Sequence, residues 1–436
     1  MQKKVFAISV LVLAITGVAY MGFWQRSLGQ RADVSIIGPV ILADGLGRQA
    51  VELALAIQND FNTEIVSDHV QRRDLPESVL AIIKEHTKKH SRYEDLGPLG
   101  KVVIVQGQVW TPSKKSQPPF RKVKQKDQIR IAYSMLESTR IPQEWVSVLN
   151  TYYDAVVVPD VFLIEAYRQS GVTIPVFEIP LGLDLHDFLA SPLKTQHKTP
   201  MVFANLSSAH DRKNQVLLIQ AFARALGNNP DAILKINCRG GTKGSMEAIE
   251  QEIYRQNCSN IYFSVDSLSK ESYLRFFQGI DCYVSLSKGE GFSIQPREAM
   301  ALGIPVIATD NTGQSTICKS LLVKSVNASL QEPAFYFRTL SRGGDYFNCS
   351  LEDAAAAIKE VYLDYASYLS KAQKAREWAA AYDYSNPKVT AMYKNLICPK
   401  KIVLGEENSI TPEVVVTNSA ALYQKYCSLT QDGAFK

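Results

Sequence analysis

The sequence predicts an α/β protein in which two Rossmann-like domains face a cleft, preceded by an N-terminal transmembrane helix. The chain has 436 residues, which is enough for two hydrophobic cores. Short apolar runs alternate with amphipathic segments, as in parallel sheets covered by helices. A polar stretch without periodicity, residues 185–199, divides this alternation into two series. We therefore predict an N-terminal segment at 1–28, a first domain at 29–190, a second domain at 191–398 and a C-terminal tail at 399–436.

The N-terminal segment has the composition of a membrane anchor. Lys3 and Lys4 precede twenty uncharged residues, 5–24, and this length matches a hydrocarbon layer of about 30 Å. Aromatic residues at the end of the run are typical of a membrane interface, although residues 17–19 also fit the cleavage site of a signal peptide. We expect a single-pass protein with its two folded domains in the cytoplasm, or in a Golgi-like lumen as the alternative.

The first βα series begins with a strand at 34–40, a turn that contains Gly45 and Gly47, and a helix at 50–59. Such a strand, glycine turn and helix can direct backbone N–H groups at a phosphate. A plain tight turn explains two glycines equally well. The missing third glycine argues against a dehydrogenase. Further strands are predicted at 64–69, 101–106, 129–135, 155–158 and 175–179.

The second series repeats the pattern from residue 200 onward. Strands are predicted at 201–204, 232–237, 261–265, 282–286 and 305–308. Helices are predicted at 215–226, 246–256, 270–277, 299–302 and 351–382. Two series joined by a linker indicate two domains with a ligand-binding crevice at the strand ends.

Charge and cysteine content exclude several classes of protein. The net charge of +5 is too small to indicate a nucleic-acid partner. The basic residues concentrate between 81 and 130, where a solvated loop and a surface for anionic headgroups or a phosphorylated acceptor both fit. Seven cysteines without a Cys-x-x-Cys pair argue against a zinc site and against a disulfide framework.

The window from Ser287 to Pro305 carries the clearest functional pattern. Glu290 lies between two glycines in the loop that follows a predicted strand. Ser293 fits an N-cap, so Glu298 falls near the start of the next helix. Two carboxylates at the end of a parallel strand suit hydrogen bonds to the hydroxyl groups of a sugar or a ribose. An ordinary capped helix with a solvated Glu290 is the alternative interpretation.

This window resembles the group 1 glycosyltransferases, which are retaining, family 4-like enzymes of the GT-B type. Their mark is two glutamates separated by seven residues and followed by Gly-x-Pro-Val-Ile. The chain has Glu290, seven residues, Glu298 and then residues 303–307 with that pattern. The resemblance extends over about 35–399 and includes residues 154–184.

The resemblance implies how a nucleoside-diphosphate-sugar donor is held. Glu298 would bind the ribose, with the backbone near Val265 beside the base. Glu290 would hold the transferred sugar. The backbone segment that assists it is Gly291, Phe292 and Ser293.

The diphosphate side of the resemblance is less regular. Lys213 with Arg212 would neutralise the leaving group, and Gly45 and Gly47 would let the backbone of the first domain approach it. The family usually has an arginine where this chain has Asn205, so the diphosphate loses one cation. We expect Arg212 to replace it.

A second departure concerns the first domain, where many members of the family place a histidine near the reacting carbon. Glu137 stands there instead, and it either orients the acceptor or donor or caps the next segment. The absence of an Asp-x-Asp motif leads us to expect no cofactor and no essential metal. The implied activity is transfer to a lipid-linked or polysaccharide/glycan acceptor with retention of configuration. A sugar-nucleotide epimerase and a non-catalytic nucleotide-sugar-binding protein are the alternatives.

Overall fold

The computed structural model describes residues 31–42, 45–85, 92–106, 118–124, 128–336, 341–398, 416–417 and 420–431. Over these residues the predicted α/β architecture is confirmed, because two sheets of mainly parallel strands form the body of the protein. Most of their strands are apolar and buried. Burial on both faces explains why these strands are continuous apolar runs in the sequence.

The predicted transmembrane helix is wrong. Across the described part of the chain, no helix combines the length and the apolar character that are needed to cross a membrane. The run on which the prediction depended, residues 5–24, lies outside the described residues. The fold that the structure supports is the two-domain α/β architecture. The single-pass localisation depended on the same helix and is corrected with it.

The first sheet has eight strands within the described residues, in the order β16-β7-β6-β5-β4-β1-β2-β3. All neighbouring pairs are parallel except β16 with β7. The strands are β1 (Val34–Ile37), β2 (Thr63–Ser67), β3 (Ile83–Glu85), β4 (Val102–Gln106), β5 (Ile129–Tyr133), β6 (Ala155–Val158), β7 (Val176–Glu178) and β16 (Val416–Thr417). Its helices are α1 (Gly45–Ile57), α2 (Glu77–Leu80), α3 (Gln143–Tyr152), α4 (Phe162–Ser170) and α5 (His186–Ala190).

The second sheet is parallel, and its six strands follow the order β10-β9-β8-β11-β12-β13 over the described chain. The strands are β8 (Met201–Ala209), β9 (Ala232–Gly241), β10 (Ile261–Ser264), β11 (Cys282–Ser285), β12 (Val306–Asp310) and β13 (Lys324–Asn327). Its helices are α6 (Gln215–Leu226), α7 (Lys243–Gln256), α8 (Lys270–Gln278), α9 (Ile294–Ala301), α10 (Thr312–Cys318), α11 (Leu351–Leu363) and α12 (Tyr365–Ala380).

A hairpin that the sequence pattern did not predict follows the second sheet. Its antiparallel strands are β14 (Leu330–Tyr336) and β15 (Ser341–Asn348). The hairpin crosses to the first domain, where the Asp345 backbone N–H donates to Thr139 Oγ1 over 3.0 Å. The Ser138 hydroxyl donates to the carbonyl oxygen of Gly343. The hairpin therefore links the two domains on one side of the cleft.

The last helices return to the first domain. Helix α13 (Pro387–Ile397) packs against α1, and the Tyr393 hydroxyl donates to the carbonyl oxygen of Pro180 over 3.2 Å. Helix α14 (Ala420–Gln431) places the buried Tyr426 against Phe177, with ring centroids 5.0 Å apart. Helices α13 and α14 thus pack on the first domain, while the predicted domain limits stay a prediction.

Candidate active site

A cavity of about 180 Å³ lies between the two domains. The carboxyl ends of parallel strands and the following loops surround it, as in other open α/β sheets. The first domain contributes α1 and the second contributes the ends of β8 and β9 together with α8 and α9. The polar side chains that line it include Arg48, Glu52, Asp184, Lys213, Asn237, Arg239, Tyr273 and Glu298.

Glu298 lies at the wall of this cavity and is fully buried. Its Oε1 accepts a hydrogen bond from Arg48 Nη1 over 2.7 Å, and its Oε2 accepts one from the Tyr273 hydroxyl. Arg48 also contacts Glu52 Oε1 over 2.8 Å, and the same oxygen accepts from the backbone N–H of Asp184. Arg48 therefore joins a carboxylate of the first domain to the predicted ribose carboxylate of the second.

The carboxylates of this group stabilise the charge of Arg48. Burial alone would lower the pKa of Arg48, but Glu298 and Glu52 outweigh burial and hold that pKa well above its ordinary value. Burial raises the pKa of Glu52 in spite of the opposing charge of Arg48. Because one guanidinium forms ion pairs with two buried carboxylates, loss of Arg48 should disturb this group more than loss of either glutamate.

Glu290 belongs to a second charged cluster, which is the catalytic group predicted from the sequence. Lys213 Nζ lies 2.5 Å from Glu290 Oε1, and Arg212 Nη1 lies 3.2 Å from Glu290 Oε2. The other end of the Arg212 guanidinium lies 3.2 Å from Glu137 Oε1. The structure thus brings together all four predicted residues. Lys213 also lines the cavity and so connects the cluster with it.

The cluster keeps Glu290 ionised. Burial alone would raise the pKa of this carboxyl, but the charges of Lys213 and Arg212 lower it to about 2. Burial lowers the pKa of Lys213 despite the attraction of Glu290. The backbone of Glu290 is also fixed, because its N–H donates to Thr312 Oγ1 over 2.8 Å. A charged carboxylate with a fixed backbone can serve as a hydrogen-bond acceptor for hydroxyl groups.

Two glycines in this loop allow the domains to touch. A Cβ atom at Gly289 would lie 2.0 Å from the carbonyl oxygen of Glu137, and one at Gly291 would lie 3.1 Å from the carbonyl oxygen of Leu136. Real Cβ atoms do not approach a backbone oxygen as closely as the first of these distances. Glycine at 289 is therefore required by the close approach of the two domains.

The next residues have mainly structural surroundings. Ser293 is the N-cap residue of α9, as predicted, but with φ 66° its side chain makes no capping hydrogen bond. The Phe292 ring is buried, and the Cζ atom of Arg297 lies over it, 3.7 Å from the ring centroid. Whatever these residues contribute to a bound sugar would come from their backbone, which is what the resemblance implies.

Two other predicted positions, Asn205 and Val265, differ in their surroundings. Asn205 is buried within β8, where its Nδ2 donates to the carbonyl oxygen of Val284 over 2.7 Å. Val265 is 48% exposed, and the neighbouring cavity wall is formed by residues 266–268. Asn205 is thus directed into the sheet.

The glycine turn of the first domain is also more ordered than predicted, because α1 starts at Gly45 instead of residue 50. Gly45 lines the cavity, and a Cβ atom there would lie 3.5 Å from Ile294 Cδ1. At Gly47 a Cβ atom would lie 2.4 Å from the carbonyl oxygen of Ile41. Local packing explains Gly47, whereas Gly45 faces the second domain.

Sequence reasoning missed Arg48, Tyr273, Asn237 and Arg239. Arg48 directly follows the glycine turn, and this position in the sequence could have indicated that it belongs to the site. The others became apparent only when the strands and helices were assembled. Within the described ranges, no group of three or more His, Cys, Asp or Glu side chains is placed to hold a metal ion.

Comparison with known proteins finds a family match within the second domain. Residues 191–326 match the family model described as "Glycosyl transferases group 1". The matched residues contain Lys213, Glu290 and Glu298. The group 1 domain predicted from these glutamates is therefore confirmed, whereas Arg48 and Glu137 lie outside the match.

A curated relative and several solved structures are similar to this chain. An uncharacterised glycosyltransferase of Methanocaldococcus jannaschii is 31% identical over 160 residues, which are 35% of this chain and 37% of the relative. The chain thus spans just over one third of the length of that relative. Anabaena HepE, in complex with UDP and glucose, has a TM-score of 0.59 at 13% identity and covers 84% of this chain and 99% of its own.

The sucrose-phosphate synthase of Thermosynechococcus elongatus is similar to the same degree. Its TM-score is 0.56 at 15% identity, with 83% of this chain and 97% of that chain covered. At such identities the likeness shows the fold, which is a two-domain GT-B-like arrangement of parallel sheets.

Proposed function

We propose that the protein is a glycosyltransferase that moves a sugar from a nucleoside-diphosphate-sugar donor to a glycan acceptor. The observation that carries this proposal is the pair of glutamates in the group 1 domain. Glu298 lies on the wall of the interdomain cavity, and Glu290 is joined to that cavity through Lys213. One carboxylate can thus accept from a ribose while the other accepts from the transferred sugar.

The geometry supports separate roles for the two glutamates. A carboxylate offers about four lone-pair sites, so Arg48 and Tyr273 leave Glu298 able to accept hydrogen bonds from ribose hydroxyl groups. Lys213 lies between the cavity and Glu290, where its ammonium group would neutralise the charge that grows on the departing diphosphate. Glu137 is held by Arg212 at the first-domain side and would orient the acceptor.

Relatives of the same fold support a nucleotide-sugar donor. Anabaena HepE has been crystallised with UDP and with UDP-glucose. By analogy we infer a nucleoside-diphosphate-sugar for this chain, family 4-like chemistry and retention of anomeric configuration. The departing phosphate oxygen would help to accept the proton of the attacking hydroxyl. The protein then contributes positioning and charge stabilisation. We expect no cofactor and no essential metal, because cationic side chains can serve the diphosphate.

The proposal is tested by measuring donor binding and donor turnover. Calorimetry with a panel of nucleotide sugars identifies the donor, and Glu298→Ala should weaken its binding by about 10- to 100-fold, since hydrogen bonds to charged groups contribute about 1.5–3 kcal/mol. Lys243→Ala is the matched control, because Lys243 is 88% exposed. Hydrolysis of the donor in the presence of EDTA tests the metal, and NMR of the released sugar reports the anomeric configuration.

Each alternative gives a different result in the same experiment. An epimerase would convert the nucleotide sugar alone into an epimer without an acceptor. A binding protein would bind the donor without transfer or hydrolysis. If Glu298→Ala binds the donor as tightly as the wild type, the assignment of the ribose site is wrong.

A further inference from the structure

The ends of two neighbouring strands form the inner wall of the cavity. Strand β8 pairs with β9 through Ser207 and Cys238, and the register then shifts before Ala209 pairs with Gly241. Bulges of this kind redirect side chains and are frequent beside active sites. Arg239 lies opposite the irregular step, and its Nε donates to Ser208 Oγ over 3.3 Å.

The end of β9 presents two polar side chains to the cavity. Asn237 and Arg239 are two residues apart on β9. Both line the cavity. Asn237 is buried and its Nδ2 donates to Ser264 Oγ over 2.8 Å, while its Oδ1 has no hydrogen-bond partner among the described residues. A buried, unpaired acceptor beside the cavity would be satisfied by a donor group of a ligand, such as a hydroxyl of a sugar or a ribose.

The backbone directly after Arg239 is open to its surroundings. Gly240 has φ +141°, and a Cβ atom there would meet nothing within 4 Å. Glycine lets a strand end in this conformation. Arg239 thus lies near the carboxyl end of β9 and lines the cavity, and strand ends of this kind are where α/β sheets bind their ligands.

The charges of the site explain why a cation is needed there. The resemblance places an arginine where Asn205 occurs, and the Asn205 amide is bonded to Val284 and Ser207 inside the sheet. Arg212, the replacement expected from the sequence, faces Glu137 and Glu290. Neither residue supplies the missing positive charge to the cavity.

We propose that Arg239 binds the diphosphate of the donor and so supplies, from the neighbouring strand, the charge that Asn205 lacks. The inference rests on the proposed function, because it names a further donor-binding residue of the same site. Arg239 can make two parallel hydrogen bonds to phosphate oxygens. Lys213 lines the same cavity, so the two cations could bind the diphosphate together.

The test compares a nucleoside diphosphate with the nucleoside alone. Calorimetry measures the binding of UDP, GDP and ADP, each beside its own nucleoside, to the wild type and to Arg239→Gln. The variant should bind the preferred diphosphate about 10- to 100-fold more weakly and the nucleoside unchanged, since the lost interaction is with phosphate. Its affinity should also depend less on salt concentration. Arg239→Lys keeps the charge and should lose less.

Arg255→Gln is the matched control, since Arg255 lies in the same domain on α7 and is 66% exposed. Thermal unfolding without ligand checks that each variant is folded. The inference is overturned if Arg239→Gln binds the diphosphate as tightly as the wild type, or if it loses diphosphate and nucleoside equally. If the wild type binds none of the three diphosphates, the proposed function fails and this inference fails with it.

Discussion

Replacing Arg48 should destabilise the protein far more than replacing its partner Glu298. Arg48 contacts Glu298 Oε1 over 2.7 Å and Glu52 Oε1 over 2.8 Å, and both glutamates are buried. Arg48→Gln leaves two buried carboxylates without their guanidinium. Loss of one partner from a buried ion pair costs about 3–5 kcal/mol. We expect a loss of that size in the free energy of unfolding.

Glu298→Gln is a milder change for a structural reason. Arg48 keeps its contact with Glu52, and the amide oxygen of glutamine can still accept from Arg48 or Tyr273. The expected cost is about 1–2 kcal/mol, the usual contribution of one hydrogen bond. The double variant should lose less than the sum of the two, because only Glu52 then remains as an uncompensated carboxylate.

Urea unfolding of the wild type and these three variants measures the costs. The loss in Arg48→Gln should also grow as pH rises. In the folded wild type, burial raises the pKa of Glu52 above its unfolded value. Between these two pKa values the folded state keeps a proton that the unfolded state releases, so stability falls as pH rises. Removing Arg48 raises that pKa further. The reasoning is refuted if Glu298→Gln costs as much as Arg48→Gln, or if the effects of the two substitutions add fully.

Three further predictions follow from individual side chains. The pKa of Glu290 is held near 2, so its ion pairs stabilise the fold above about pH 4.5, and this contribution is lost as pH falls toward 2. In acid-unfolding measurements the stabilities of Glu290→Gln and the wild type should therefore converge. Gly289→Ala should abolish donor turnover or open the cleft, as small-angle scattering would detect, whereas Gly244→Ala, with open space around it, should change neither. Burial, with a smaller contribution from Asp160, raises the pKa of Glu178 to about 7, so stability falls as pH rises from about 4.5 through 7, and Glu178→Gln should remove this fall in urea titrations at pH 5 and 8.

Elements with strong local patterns were predicted closely. The strand Ala155–Val158 and the helix Gln215–Leu226 have the predicted bounds, because each is a complete apolar run or a complete helical period. The pair of glutamates was recognised because their spacing in the sequence is characteristic. Local patterns of this kind do not require knowledge of the folded chain.

Elements that depend on distant contacts were missed or shortened. Strand β8 continues to Ala209, although residues 205–209 are too polar for a strand pattern, because β9 supplies hydrogen-bond partners along its length. The predicted helix at 351–382 is interrupted at Asp364, where φ is −120° and ψ is 45°. The partner of Arg48 lies 250 residues along the chain. Such features follow from tertiary pairing, which overrides local preference.

The same distinction shows how the two glutamates differ within the proposed function. Glu290 forms ion pairs with Arg212 and Lys213 of its own domain. These ion pairs therefore do not require a ligand or a residue of the first domain. Glu298 forms its ion pair with Arg48 of the first domain, so this ion pair depends on the distance between the two domains. When a donor ribose binds Glu298, the strength of this carboxylate as a hydrogen-bond acceptor would therefore change with closure of the two domains. Donor affinity and domain closure should then be coupled, and Arg48→Gln should weaken that coupling while leaving the Glu290 cluster intact.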